Sequence, residues 1–445
     1  MGGVSANIWS IIGVLGAAVL GLAVVFVEYS TLIIGAATIF TSLFLVVEWR
    51  KKGIILTLGN IFTGYWFLYT TSFWINYKLG MHQLADMHYF YVHAILSLVG
   101  FLSFQIVYYP GKYNGDRRYG LDLKYYNITL LVIALVFIFS IACGLAIWFF
   151  MRVGLSNFIF MSRQSRMLLL QDAGVTFFLP LFSLVMIVSL VLIEQYPSKV
   201  LSFLLVTSFA FRVFYSLVVV GRGDLLSTLI PVVYILLLSG RIKTRSVIIW
   251  GCVMFVFLTY FKTIMTNVIF GRNVSLGRFQ LSGEFEAWYH VSRTVLSGLD
   301  KGSLSHMYGK SYLEALYNLV VPFTSVEPLS VWYVRTYLYE TYLRGGGAAF
   351  SSIAEAVMNF GYLGVPLYFA FLGYICRRLE QLRMKDLRYF VIYVYALTVV
   401  YQFFRSEFYS LTKSSWWFFV LPVFFLLSVT RLAGKRSYNM RRERA

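Results

Sequence analysis

The sequence predicts an all-α polytopic membrane protein of about twelve transmembrane helices with one large, partly helical outer loop. Three observations carry the prediction. The 445 residues are 59% hydrophobic and only 13% charged, about half the charged share of an ordinary soluble domain. Apolar runs of roughly 20 residues recur along the whole chain, and in lipid each backbone must satisfy its own hydrogen bonds, so the runs are helices; a barrel would show short alternating segments. Lys and Arg gather in alternate connections between the runs, as the positive-inside bias requires.

Taken in order, residues 8–27 form the first span, since the run is too long for a signal peptide and lacks a charged n-region and a small-residue cleavage site. A hairpin at Glu28-Tyr29-Ser30 leads into the second span, which ends at the basic cluster Arg50-Lys51-Lys52. The third span exits into a nearly uncharged outer loop, and the fourth returns to Lys112 and Arg117-Arg118. The fifth crosses outward to a loop with Arg152, Arg163 and Arg166, which goes against the charge rule and calls for an anionic partner. Spans six to nine alternate through Glu194, Gly221-Arg222-Gly223-Asp224 and Arg241 to Lys262. Residues 1–262 thus hold helices one to nine, and residues 263–349 form the outer cap. Within the cap, residues 284–296 and 312–320 have helical spacing and an amphipathic face suited to the membrane. Residues 350–445 hold the last three helices and a basic tail. Inner connections carry about three times the Lys and Arg of the short outer loops, which puts both termini in the cytoplasm.

The net charge of +19 does not point to nucleic acid, because the cations sit between spans and not on one face with aromatic platforms. Cys143, Cys252 and Cys376 lie in or at the ends of apolar spans with no CxxC spacing, so they read as small core residues and neither as a disulfide framework nor as a zinc site. No metal site and no cofactor is expected.

Several charges are out of place. Arg212 lies inside span seven, roughly 15 Å below Arg222, where an unpaired charge costs at least about 2.5–3.5 kcal/mol; it faces a polar partner or a structural ion pair. Gly221-Arg222-Gly223-Asp224 is a helix-to-helix turn whose glycines allow close backbone approach and whose arginine fork suits phosphate oxygens; an Arg-Asp cap on two helices is the plainer alternative. Arg163, Arg166, Arg272, Arg278 and Arg405 add cations on the same side, each a headgroup contact or part of a polyanion site. Arginine does not deprotonate here, so a base comes from a carboxylate or histidine. Glu355, one turn into span ten, is the candidate, although an acid at a helix start also simply complements the macrodipole.

With about twelve spans, a late outer loop, Gly221-Arg222-Gly223-Asp224, Arg405 and the stretch Gly347-Ala348-Ala349-Phe350-Ser351-Ser352-Ile353-Ala354-Glu355-Ala356-Val357-Met358-Asn359-Phe360-Gly361-Tyr362-Leu363-Gly364, the chain resembles bacterial O-antigen polymerases, the oligosaccharide repeat-unit polymerases of the O-antigen polymerase/ligase superfamily. The resemblance implies a GT-C-like fold in the bacterial inner membrane with a periplasmic cap. It implies a metal-independent glycosyltransferase that moves an oligosaccharide en bloc from undecaprenyl pyrophosphate onto a second lipid-linked repeat unit. On it, Arg222, Arg163, Arg166, Arg272 and Arg278 fall to the pyrophosphate, with Arg212 and Asp224 beside them, Arg405 to support, and Glu355 to the base or to acceptor orientation. A polysaccharide co-polymerase that sets chain length is the implied protein partner. The rivals are an O-antigen ligase that passes the same donor to lipid A core, with His306 or His290 as base, and a lipid-linked oligosaccharide flippase or other transporter, which would show matching halves with broken helices.

Overall fold

The computed structural model describes residues 29–52, 56–78, 80, 87–109, 123, 125–154, 158, 178–219, 222–270, 287–321, 326–343 and 347–444. Those residues are helical with no strand among them. The helices are α1 (Tyr29–Lys52), α2 (Leu58–Lys78), α3 (His88–Tyr108), α4 (Ile128–Val153), α5 (Phe178–Ile193), α6 (Lys199–Val219), α7 (Arg222–Leu238) and α8 (Thr244–Phe270). Then come the shorter α9 (Ala287–Asp300), α10 (Lys310–Val320), α11 (Leu329–Tyr337) and α12 (Tyr339–Leu343), and finally α13 (Ser352–Phe360), α14 (Gly364–Leu382), α15 (Leu387–Val399), α16 (Phe408–Ser415) and α17 (Leu421–Arg444). Five helical stretches are long and apolar enough to cross a membrane, namely α3, α4, α6, α13 with α14, and α16 with α17; five shorter apolar stretches stand beside them. The first span of the sequence reading lies outside the described residues. Helix α8 continues through Phe270, eight residues past the cap boundary expected at residue 262.

Small residues set the tightest packing. A Cβ at Gly100 would meet the Phe369 ring at 2.5 Å, and one at Gly373 the Phe104 carbonyl oxygen at 2.6 Å, so α3 and α14 approach at a distance that only glycine permits. Around that contact Phe62 stacks on Phe104 and Phe404 at 3.6 and 4.9 Å, which joins α2, α3 and the segment after α15 in one aromatic core. The lipid side is equally legible: Ile133, Phe137, Ile147 and Met151 are exposed along α4. The same helix starts at Asn127, whose side chain accepts the Leu130 N–H, and stops at Gly154.

Span ten is not the continuous helix that its hydropathy suggests. Gly361, at φ +62°, turns the chain, and Gly364 packs directly on the Ala356 carbonyl where a Cβ could not fit, so α13 and α14 are separated by a short 3-10 turn, Gly361–Leu363.

Contacts join ends that the charge pattern assigns to one side. Arg241 pairs with Glu194 at 3.2 Å. Asp386 caps α15 through the Arg388 N–H and also holds the Arg388 guanidinium, Tyr126 and Arg431. Although burial works to raise it, the hydrogen bonds from Arg388 and Tyr126 hold the Asp386 carboxyl below the usual carboxylate range. Arg383, which the sequence presents in a basic run facing water, is buried: its guanidinium binds Glu380 at 3.0 Å and Tyr234 and lies over the Tyr393 ring. Glu380 in turn accepts the hydroxyls of Tyr108 at 3.1 Å and Tyr393 at 2.8 Å. Pairing, with added hydrogen bonds from neighbouring phenols, is the form in which two charges are tolerated in an interior.

Candidate functional site

The site is organised by the helix break at residues 400–407, the turn between the last two apolar stretches, α15 and α16 with α17. Helix α15 tightens into a 3-10 turn at Val400–Phe403, the Arg405 and Ser406 amides fold back onto the Gln402 carbonyl at 2.9 and 2.8 Å, and helix resumes only at Phe408. The sequence explains the interruption: Gln402, Arg405, Ser406 and Glu407 fall within an otherwise aromatic stretch. Irregular backbone at a membrane helix end requires protein partners for its polar groups; three elements supply them and a fourth packs against the break.

From α13, the Ser352 hydroxyl donates to the Phe403 carbonyl and Glu355 Oε2 accepts the Phe408 N–H at 2.7 Å. From α2, the Tyr69 hydroxyl donates to the Tyr401 carbonyl at 3.2 Å, and the Tyr65 ring lies 5.1 Å from that of Tyr401. From α11, the Ser330 amide and hydroxyl donate to Glu407 at 2.9 and 2.8 Å, so a carboxylate from another segment caps the orphan amides at that helix start. Burial pushes the Glu407 carboxyl above the usual carboxylate range, against the hydrogen bonds from Ser410 and Ser330 that pull it down. From α7, Gly223 lies so close to Tyr401 that a Cβ would stand 2.5 Å from its hydroxyl oxygen.

On the α7 side of the break the misplaced charges converge. Arg212 is buried in α6; its Nη2 donates to Ser227 Oγ at 2.6 Å and its Nε to Thr228 Oγ1 at 3.3 Å. Both hydroxyls donate onward to the Asp224 carbonyl at 2.8 Å. Asp224 lies within electrostatic reach of both Arg212 and Arg405, and Arg405 within reach of Tyr65. Two cations, one acid and two phenols from four elements thus share one polar locus. The two guanidinium groups in it are donor-only forks that stay charged.

Glu355 occupies the cap side. It is fully buried; its Oε1 accepts the Ser311 hydroxyl at 2.7 Å, and Asn359 Nδ2 donates to the same hydroxyl oxygen at 2.8 Å. In this arrangement both carboxylate oxygens are engaged, and Glu355 ties α10 of the cap to the break through Phe408. Glu407 stands within electrostatic reach of it. His306 Nδ1 lies 3.4 Å from the Met358 carbonyl, at the edge of the same helix.

Of the nine residues proposed from sequence, Arg212 and Arg405 lie within electrostatic reach of Asp224, and Glu355 meets the break at the Phe408 amide. Arg222 opens α7, but its side chain lies outside the described set, as do Arg163, Arg166, Arg272 and Arg278 entirely. Sequence reasoning missed Tyr65, Tyr401, Glu407 and Ser311. The signal for Tyr401 and Glu407 was the polar interruption itself; nothing local marked Tyr65 or Ser311, whose partners are far away in the chain. Among the described residues, no three His, Cys, Asp or Glu side chains gather as a metal site would need.

The helices define the class: among the described residues the chain is helical without strands, with stretches long and apolar enough to cross a membrane, as in a polytopic membrane protein. The sequence model of the family described as O-antigen polysaccharide polymerase Wzy matches residues 297–436, and the resemblance to O-antigen polymerases stands on that match. It supports repeat-unit polymerisation in general and a glycosyltransferase-type activity. The matched stretch contains α10, Glu355 and the break with Arg405, whereas Arg212 and Asp224 lie before it. No curated protein and no solved structure gives a significant match.

Proposed function

We propose that the protein polymerises oligosaccharide repeat units carried on undecaprenyl pyrophosphate, by en bloc glycosyl transfer at the periplasmic face of the inner membrane. The observation that carries this is that Arg212 and Arg405 both lie within electrostatic reach of Asp224, with Arg405 in the turn between the last two apolar stretches, a turn that falls inside the family match. A hydroxyl at the non-reducing end of the acceptor attacks the anomeric carbon of the donor. The new C–O bond forms as the bond to pyrophosphate breaks, and undecaprenyl pyrophosphate departs with the electron pair. Arg405 and Arg212, with Arg222, Arg163, Arg166, Arg272 and Arg278, stabilise that departing charge, the contribution that dominates such reactions. An activated leaving group needs no metal. Glu355 takes the acceptor proton once the Ser311 hydrogen bond opens, so cap movement and proton transfer share one latch. A co-polymerase that sets chain length acts alongside.

Deletion of the gene in its host, followed by gel analysis of surface polysaccharide, tests the proposal. Loss of the ladder with survival of a core-plus-one-repeat band is expected. Loss of all attached glycan would overturn the proposal in favour of a ligase or flippase, and an unchanged ladder would overturn all three.

A further inference from the structure

Helix α10 is amphipathic the wrong way round for a water-facing cap. Its protein-facing edge is polar or small: Ser311, Ala315 and Asn318 are the buried residues, with Ser311 bonded to Glu355 and the Asn318 carbonyl accepting the Trp417 indole N–H at 2.8 Å. Its outward edge is apolar: Leu313, Leu316, Tyr317 and Val320 are 66, 47, 56 and 76% exposed. At about 100° per residue these four fall within one stripe roughly 100° wide. The helix's two charges, Lys310 and Glu314, face each other at 3.8 Å near its first turn. Water would favour the opposite orientation.

The surroundings say what covers the stripe. On one flank Tyr312 stacks on Phe360 at 5.9 Å, and Phe360 begins an exposed apolar strip that runs down the span through Leu363, Leu367 and Phe371. On the other flank α10 packs against α16, and the Trp417 bond fixes its C-terminal end at the start of the last span, whose own exposed strip runs through Leu421 and Phe425. The α10 stripe therefore lies between two exposed apolar strips on membrane-crossing stretches. We infer that α10 is seated in the bilayer interface, its Leu313–Leu316–Tyr317–Val320 face against acyl chains, while its inner edge holds the Ser311–Glu355 latch. An interfacial helix is the arrangement that places apolar side chains and a Tyr at headgroup depth. The cap is then attached to the membrane and does not stand clear of it.

The test is independent of activity. The full chain, with Cys143 and Cys252 changed to Ser, carries one spin label at a time at 313, 316, 317 or 320, or at 310 as the polar control, in nanodiscs of phosphatidylethanolamine and phosphatidylglycerol. Collision with oxygen should exceed collision with a water-soluble nickel chelate at 316 and 320, and the order should reverse at 310. Greater access to the nickel chelate at 316 and 320 would overturn the inference, because the stripe would then face water. Low access to both reagents would also overturn it, because the stripe would then be covered by protein, a second copy or another partner. Positions 316 and 320 read independently, so failure of one variant to fold leaves the other decisive.

Discussion

Replacing Gly223 with Ala should disable the site through Tyr401. The added Cβ would stand 2.5 Å from the Tyr401 hydroxyl oxygen and 3.4 Å from its Cζ, where ordinary contact begins. The phenol must therefore retreat by about 1 Å, a displacement that can cost on the order of 100-fold where geometry matters. Retreat is resisted: the hydroxyl accepts from Gln402 Nε2 at 3.0 Å, the Tyr401 carbonyl is held by Tyr69 at 3.2 Å, and the ring is 8% exposed. Overpacking of this kind costs about 1–3 kcal/mol. Tyr401→Phe alone forfeits one neutral hydrogen bond, about 0.5–1.5 kcal/mol. In the double variant the clashing oxygen is gone and the remaining neighbour sits at 3.4 Å, so Tyr401→Phe should rescue Gly223→Ala with a coupling of about 1–2 kcal/mol. Thermal unfolding of the four proteins in one detergent measures the coupling, and ladder length after complementation measures its effect on polymerisation. Additive losses in the double variant would refute the socket between Gly223 and Tyr401. Coupling in stability with unchanged ladders would instead show that Tyr401 spaces helices without positioning Arg405.

The remaining predictions concern charge. Arg405→Lys keeps the cation but loses the fork, and polymer yield should fall by roughly 100-fold, as when one preorganised donor to a developing anion is removed; near-normal ladders would remove Arg405 from the site. Ser311→Ala deprives the buried Glu355 of one partner and should lower stability by about 1–3 kcal/mol, with protease sensitivity rising first in the cap. Unchanged sensitivity would mean that the latch does not hold the cap. For Asp386 the folded-state carboxyl titrates below its unfolded value, so its contribution is present above the usual Asp range and is lost as pH falls through the lowered value. The unfolding temperature of the wild type should therefore drop on acidification below about pH 4, and Asp386→Asn should flatten that limb while lowering stability at neutral pH.

The all-helical class was legible because lipid leaves the backbone one solution and hydropathy reports it directly. The break at residues 400–407 was legible as the polar outer end of span eleven, where Arg405 stood out as a charge; the bonds of Glu407 to Ser330, 77 residues away, carry no local sign. Arg212 declared itself by depth, yet its partners Ser227 and Thr228 lie a helix away in sequence and carry no sign of pairing. Glu355 was found by its position after Ser351-Ser352, but its engagement by Ser311 depends on the packing of α10, which periodicity does not fix. Arg383 shows the converse error. A basic run next to an apolar helix looks solvated from sequence, and only the convergence of Glu380, Tyr108, Tyr234 and Tyr393 explains its burial.

The late break between the last two apolar stretches also sets the order in which the chain can mature. Tyr69 and Tyr401 are separated by 332 residues, an interval that a ribosome working at about 5–20 residues per second needs tens of seconds to cover. Tyr69, and later Glu355 of α13, are threaded within that interval while the segment they bond, Tyr401 to Phe408, is still unsynthesised. The early helices must therefore wait in the membrane with open polar sockets, exposed to wrong partners and to quality-control proteases. Nascent chains arrested before residue 408 should be short-lived, and those arrested well after it should persist.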